Sequence, residues 1–208
     1  MRLIALAALA VAVASTTLAQ DRAFDQKVRR FLERNRGEWR DMNVPWVDGQ
    51  ILRDLVVRNG HTRALEIGTS TGHSSIWIAW GLSQTGGKLT TIEIDPSRHA
   101  EALRNLEEAG VASLVDARLS DAHELVKQLP GPFDFVFSDA DKGWYLQYFK
   151  DVDPKLAVGG CFTAHNVLRS GGGGAGAFLE HVKALPNYRT TVEAGGGEGI
   201  SVRCKTGR

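Results

Sequence analysis

Cysteine is nearly missing from this chain, with two in 208 residues. That excludes a disulfide-built miniprotein and a four-thiolate zinc site. Neither sign of charge is in excess. The formal net charge is +1, and setting aside Arg2 in the leader leaves Lys+Arg and Asp+Glu equal at 24 each. Such a balance gives no footing for nucleic acid or anionic lipid as a partner. The arginines between positions 29 and 40 alternate with acids and read as a solvated helix face. An apolar run long enough for a stable membrane span, roughly 20 residues, is also lacking. The N-terminal run from Leu3 to Ala14 follows one arginine and leads into small and polar residues. This is the layout of a secretory signal peptide, with "TLA" before Gln20 as the cleavage site. Residues 1–19 are therefore read as a leader and 20–208 as a single domain of an exported, periplasmic or secreted protein. An uncleaved amphiphilic anchor is the alternative. No repeat of 20–50 residues recurs, which excludes solenoids and propellers.

What is present is a regular alternation. Asp21 to about Arg40 is helical by its apolar stripe of Phe24, Val28, Phe31 and Leu32. A second helix follows, with Asp48 as N-cap and Gly60 as its stop. Strands "RALEIG", "KLTTIEID", "ASLVDARL", "FDFVFSDA" and "GGCFTAHNV" then alternate with helical segments, and "YRTTVEA" and "GISVRCK" close the chain around "GGGEG". Five β-α repeats and a terminal hairpin predict an α/β fold: a mostly parallel seven-stranded sheet, helices on both faces, an antiparallel end and helices ahead of it. The glycines of "SGGGGAGAF" lack the Gly-Lys-Ser/Thr of a phosphate loop and have no nucleotide role.

The turn "LEIGTSTGHSS" after the first strand can be read in two ways. By letters, "GTSTG" is the G-x-S-x-G of a serine-hydrolase elbow, and Ser70, Asp139 and His165 follow in that fold's order. By position it is not, because the hydrolase elbow comes after several strands and this is the first. Glu93 closes the next strand, near the spacing of roughly 20 at which an acid reaches a ribose hydroxyl. The hydrolase reading is disfavoured. A dinucleotide fingerprint has three glycines at G-x-G-x-x-G; here the turn is E-x-G-x-x-x-G, with Glu66 where a pyrophosphate would be repelled. An acidic turn suits a cofactor with positive charge and no phosphate, such as S-adenosylmethionine (SAM).

Together "LEIGTSTGHSS", "LTTIEIDP", "FDFVFSDADKGWY" and "FTAHNV" resemble the motifs of the small cation-dependent O-methyltransferases, the caffeoyl-CoA and catechol type, from about Val47 to Lys205. The resemblance implies a three-layer, Rossmann-like class I methyltransferase fold. It implies that Glu66, Gly68, Ser70, Gly72 and Ser74 lie at the methionine end of SAM, with Glu93 on the ribose. Ser120 with Asp121 or Ala122 then borders the adenine. Asp139 reaches both cofactor and a divalent cation, Mg2+ or Mn2+, with Asn166 as a further ligand. Lys142 lies beside the reacting oxygen, and Glu198 and Trp144 face the aromatic acceptor. Such a cation would chelate adjacent hydroxyls and lower the pKa of one, and Lys142 would take its proton.

One position departs from the pattern. The family has Asp-Asn after the fifth strand, whereas this chain has His165-Asn166. His165 can ligate and shift the metal preference, can act as an acid or base, or can mark a site that has lost its metal. Three functions thus stand beside each other: cation-assisted methylation of a catechol-like hydroxyl, metal-independent methylation with His165 as base, and SAM binding without catalysis. A homodimer is compatible with all three. In the resembled fold the fifth strand neighbours the last. If Asn166 faces Gly199 there, the same register sets Cys161 opposite Cys204, a disulfide in an exported protein. Export is in tension with a cofactor made in the cytosol.

Overall fold

The computed structural model describes residues 20–168, 175–195 and 198–207. The leader, residues 1–19, and most of the glycine loop lie outside these. Helix α1 covers 20–34, six residues short of the expected Arg40, because the chain turns at 35–38. The expected stripe is nonetheless the buried one: Val28, Phe31 and Leu32 are enclosed, and Phe24 packs beside them. Helix α2 is Trp46–Asn59, begun by Pro45 and stopped by Gly60 in the left-handed conformation. Asp48 is therefore not the N-cap. It lies in the first turn with its side chain fully buried, which a cap facing solvent would not be.

The alternation follows as β1 (Arg63–Ile67), α3 (His73–Thr85), β2 (Lys88–Glu93), α4 (Pro96–Ala109), β3 (Val115–Leu119), α5 (Ala122–Gln128) and β4 (Phe133–Ser138). It continues with α6 (Tyr145–Val152), β5 (Leu156–Ala164), α7 (Ala175–Lys183), β6 (Tyr188–Glu193) and β7 (Ile200–Lys205). Asp95 caps α4 through the amides of Ser97 and Arg98, with Pro96 at its first position. The strands form one sheet in the order β3-β2-β1-β4-β5-β7-β6, parallel through β5 and antiparallel at β5/β7 and β7/β6.

Side chains alternate across each strand and feed two cores. Leu65, Ile67, Val136 and Phe162 meet the α5, α6 and α7 side, where Phe149 and Phe178 are buried. Ala64, Phe135, Phe137 and Val202 meet Leu52 and Val56 of α2 and Ile78 and Leu82 of α3. Cys161 and Cys204 are paired in the β5/β7 register and joined by a disulfide. Among the described residues no helix is long and apolar enough to cross a membrane.

Candidate active site

The strand order reverses between β1 and β4, and connections leaving neighbouring strands in opposite directions open a crevice at their C-terminal ends. A cavity of about 580 Å3 lies there, large enough for a nucleoside-sized ligand and a small second molecule.

One wall is the turn after β1. Gly68 has φ +99°, and a Cβ there would stand 3.1 Å from the backbone of Asp139 and Ala140. Only glycine lets this turn approach the end of β4 so closely. Ser70 is also left-handed, at φ 48°. Its hydroxyl donates to the Asp41 carbonyl at 2.6 Å, and its amide donates to Glu93 Oε2 at 2.7 Å. Glu93 Oε1 accepts from the amides of Ile94 and Asp95. Ser120, Asp121 and Ala122, after β3, complete this side. Gly68, Ser70, Glu93 and Ser120 thus line the cavity together, as expected.

Glu66, Gly72 and Ser74 do not line it. Side-chain alternation turns Glu66 toward α3, where it accepts from Ser75 and Thr91 and is fully enclosed. Burial raises its pKa to about 7 against the opposing pull of the Ser74, Ser75 and Thr91 hydroxyls. Its Oε1 has no hydrogen-bond partner. Gly72 caps α3 with φ +97°.

The opposite wall carries Asp139, Lys142, His165, Asn166 and Glu198. Lys142 Nζ donates to Asp139 Oδ1 at 3.2 Å. Asn166, left-handed at φ 57°, donates its side-chain amide to Glu198 Oε2 at 3.2 Å. His165 is buried between two carboxylates: Nδ1 is 3.0 Å from Asp139 Oδ2 and Nε2 is 2.7 Å from Asp48 Oδ2. Burial acts to lower the pKa of His165, but hydrogen bonds and charge from Asp139 and Asp48 outweigh it and raise the value to about 9. Tyr145 donates its hydroxyl to the His165 carbonyl, fixing the chain beyond β5.

Trp144 is absent from the wall. It stacks behind His123, with centroids 3.8 Å apart, and His123 and Tyr148 face the cavity instead. Asp48, His123 and Tyr148 were not legible as site residues. His73, by contrast, is a packed core histidine: Nδ1 meets the Val44 carbonyl at 2.9 Å, Nε2 accepts from Trp77, and burial lowers its pKa to about 4.

The residues fit SAM. Gly68 keeps the turn free of a side chain, Glu93 holds a carboxylate on the wall beside that turn, and Asp121, Asp139, Asp141 and Glu198 add further acids. They do not fit the expected cation. A ligating imidazole needs a lone pair, and both nitrogens of His165 face carboxylates. Asp139 already has the His165 ring against one oxygen and Lys142 Nζ against the other. Among the described residues no three His, Cys, Asp or Glu side chains converge as a metal-holding group.

A mostly parallel seven-stranded sheet with its cavity at the β1/β4 reversal and an acid closing β2 defines a class I methyltransferase fold. A family model described as O-methyltransferase matches residues 15–195, and the chain belongs to that family. It is 40% identical over 111 residues to a catechol O-methyltransferase of Niastella koreensis, covering 51% of this chain and 50% of that protein. To a caffeoyl-CoA O-methyltransferase of Zinnia elegans it is 32% identical over 160 residues, 74% of this chain and 65% of that one. The chain spans about half the length of the catechol relatives it matches. Among solved structures, an O-methyltransferase from Bacillus cereus in complex with SAH superposes with a TM-score of 0.73 at 28% identity, covering 86% of this chain and 90% of that one. One from Streptomyces achromogenes in complex with SAM gives 0.72 at 29%, covering 87% and 90%.

Proposed function

We propose that this protein is a SAM-dependent O-methyltransferase acting on a hydroxyl of a small, catechol-like aromatic. The observation that carries the reading is a cavity walled on one side by the Gly68 turn with Glu93, and on the other by Asp139, Lys142 and Asn166. When bound, SAM supplies a methyl group on a sulfonium. Glu93 Oε2 keeps acceptor capacity beyond its Ser70 bond, and a ribose hydroxyl can use it. Ser120 and Asp121 flank the base. The acid-rich walls favour the cofactor's positive charge.

The chemistry is an in-line displacement, for which holding the partners in line supplies much of the rate. The acceptor oxygen bonds to the methyl carbon as the carbon–sulfur bond breaks, its electron pair staying on sulfur. The hydroxyl proton passes to Lys142 Nζ, which enters the step as the neutral amine, and the Asp139 carboxylate 3.2 Å away stabilises the ammonium that results. Asn166 and Glu198 orient the neighbouring hydroxyl. Both ring nitrogens of His165 face carboxylate oxygens, so the proton step is assigned to Lys142 and no step is routed through a cation.

An exported setting belongs to the same proposal. The Cys161–Cys204 disulfide supports it, since such bonds persist in oxidising compartments. N-terminal sequencing of the protein from fractionated cells, beginning at Gln20 in the exported fraction, is the expected result.

Calorimetric titration with SAM, followed by transfer of labelled methyl to catechol, tests the function. Saturable SAM binding with methylated product is expected. Binding without product on a panel of catechols would leave only a SAM-binding protein, and no binding would overturn the reading.

A further inference from the structure

We propose that the buried Asp48–His165–Asp139 array is this chain's own substitute for a divalent cation, with Asp48 as the positioning residue that holds it. The inference rests on the methyltransferase reading for its purpose but on the array alone for its geometry.

Asp48 is 0% exposed, on the core-facing side of α2 with Leu52, Leu55 and Val56. A carboxylate taken out of water is costly unless a charged donor meets it. The donor that meets it is His165 Nε2, at 2.7 Å. Its other oxygen, Oδ1, has no hydrogen-bond partner, so the stabilisation of this buried charge runs through the histidine. A neutral imidazole has one N–H and one lone pair. With a carboxylate oxygen on each nitrogen, a lone pair on either side would face negative charge; donating from both nitrogens is the arrangement without that repulsion.

The charges then close. Once Lys142 has taken the hydroxyl proton, Asp48 and Asp139 contribute two negatives and His165 and Lys142 two positives, all linked by contacts of 2.7 to 3.2 Å from α2 to the end of β4. A carboxylate at position 165 would leave three negatives against one lysine, an excess of two that a divalent cation would match. Histidine removes that demand and blocks its own nitrogens as ligands. His165 is itself bonded on both ring nitrogens. Its work is to fix Asp139 Oδ2, leaving Oδ1 and Lys142 to face the reacting hydroxyl.

The test begins with the SAM-saturated full chain and Mn2+ alone as probe, read by electron paramagnetic resonance. No saturable site is expected in the wild type, while His165→Asp gains one, with affinity raised about tenfold or more over the background. A stoichiometric Mn2+ site on the wild type at the array overturns the proposal. Nitrogen NMR of His165 in wild type is expected to find both ring nitrogens protonated near neutral pH, and a neutral tautomer overturns it. Asp48→Asn is expected to lower kcat roughly tenfold or more with the KM for SAM little changed. An unchanged kcat in a folded variant overturns the positioning role. Should that variant fail to fold, the wild-type Mn2+ and NMR readings decide. Methyl transfer is expected to persist in EDTA; product that appears only with added Mg2+ or Mn2+ overturns the proposal. Absence of transfer under both conditions sinks the methyltransferase reading, and the array is then judged by the Mn2+ and NMR readings.

Discussion

The amide of Ser70 donates to Glu93 Oε2 at 2.7 Å, tying the turn after β1 to the acid that closes β2. The two residues are 23 apart in the chain and hold one wall of the cavity between them. Glu93→Ala removes the brace and, on the proposed reading, the group that accepts from the ribose. Hydrogen bonds to a charged group contribute about 1.5–3 kcal/mol, so SAM affinity should fall roughly 10- to 100-fold by calorimetry. Equal affinity in the variant would remove Glu93 from the cofactor site.

Ser70 offers a contrasting outcome. Its hydroxyl is occupied by the Asp41 carbonyl, and His165, the base a hydrolase would need, is held by two carboxylates. Ser70→Ala should keep methyl transfer within a few-fold of wild type, and a fluorophosphonate probe should leave Ser70 unlabelled in mass spectrometry.

Lys142→Ala and Asp139→Ala act on the proton step. General-base catalysis is worth typically about 10²- to 10⁴-fold, and turnover of the lysine variant should fall by that order while calorimetry still detects SAM. A lysine variant with wild-type turnover would move the proton elsewhere.

Stability should depend on pH through His165. Its folded value of about 9 lies above the ordinary 6.5, because hydrogen bonds and charge from Asp139 and Asp48 outweigh the lowering by burial. Its contribution is fully present below pH 6.5 and is lost as pH rises through 9. Melting curves of the ligand-free protein should drop across that window, and His165→Gln should flatten the drop. Glu66 acts in a lower window. An acid raised from 4.5 to about 7 lowers stability as pH rises between those values, and Glu66→Gln should remove that slope.

The disulfide closes a loop of sequence separation 43. Replacing both cysteines with alanine should lower unfolding stability by about 2–4 kcal/mol in urea titrations, with the denaturant slope read alongside to catch changes in the unfolded chain.

Most of the architecture was legible because it is carried by local periodicity and by glycines. Gly60, Gly68 and Gly110 mark where helices and strands end, and Cys161 opposite Cys204 followed once a register was assumed. Asp48 was not legible. Its neighbours in sequence describe a helix start, and what defines it is a histidine 117 residues away. Trp144 misled for the same reason: its position after the "DADK" turn says it is near the site, but packing against His123 decides which ring faces the cavity. Glu66 is turned to α3 by strand alternation, a rotation of one residue that no motif encodes.

The two walls of the cavity belong to different parts of the sheet. Gly68, Ser70, Glu93 and Ser120 follow β1, β2 and β3, whereas Asn166 and Glu198 sit at the β5/β7 seam that the disulfide fastens. On the proposed reading, substitutions around that seam change the acceptor wall and leave the cofactor wall in place. The two walls meet at β4, which pairs with β1 on one side and β5 on the other, and at Asp139 just beyond its end.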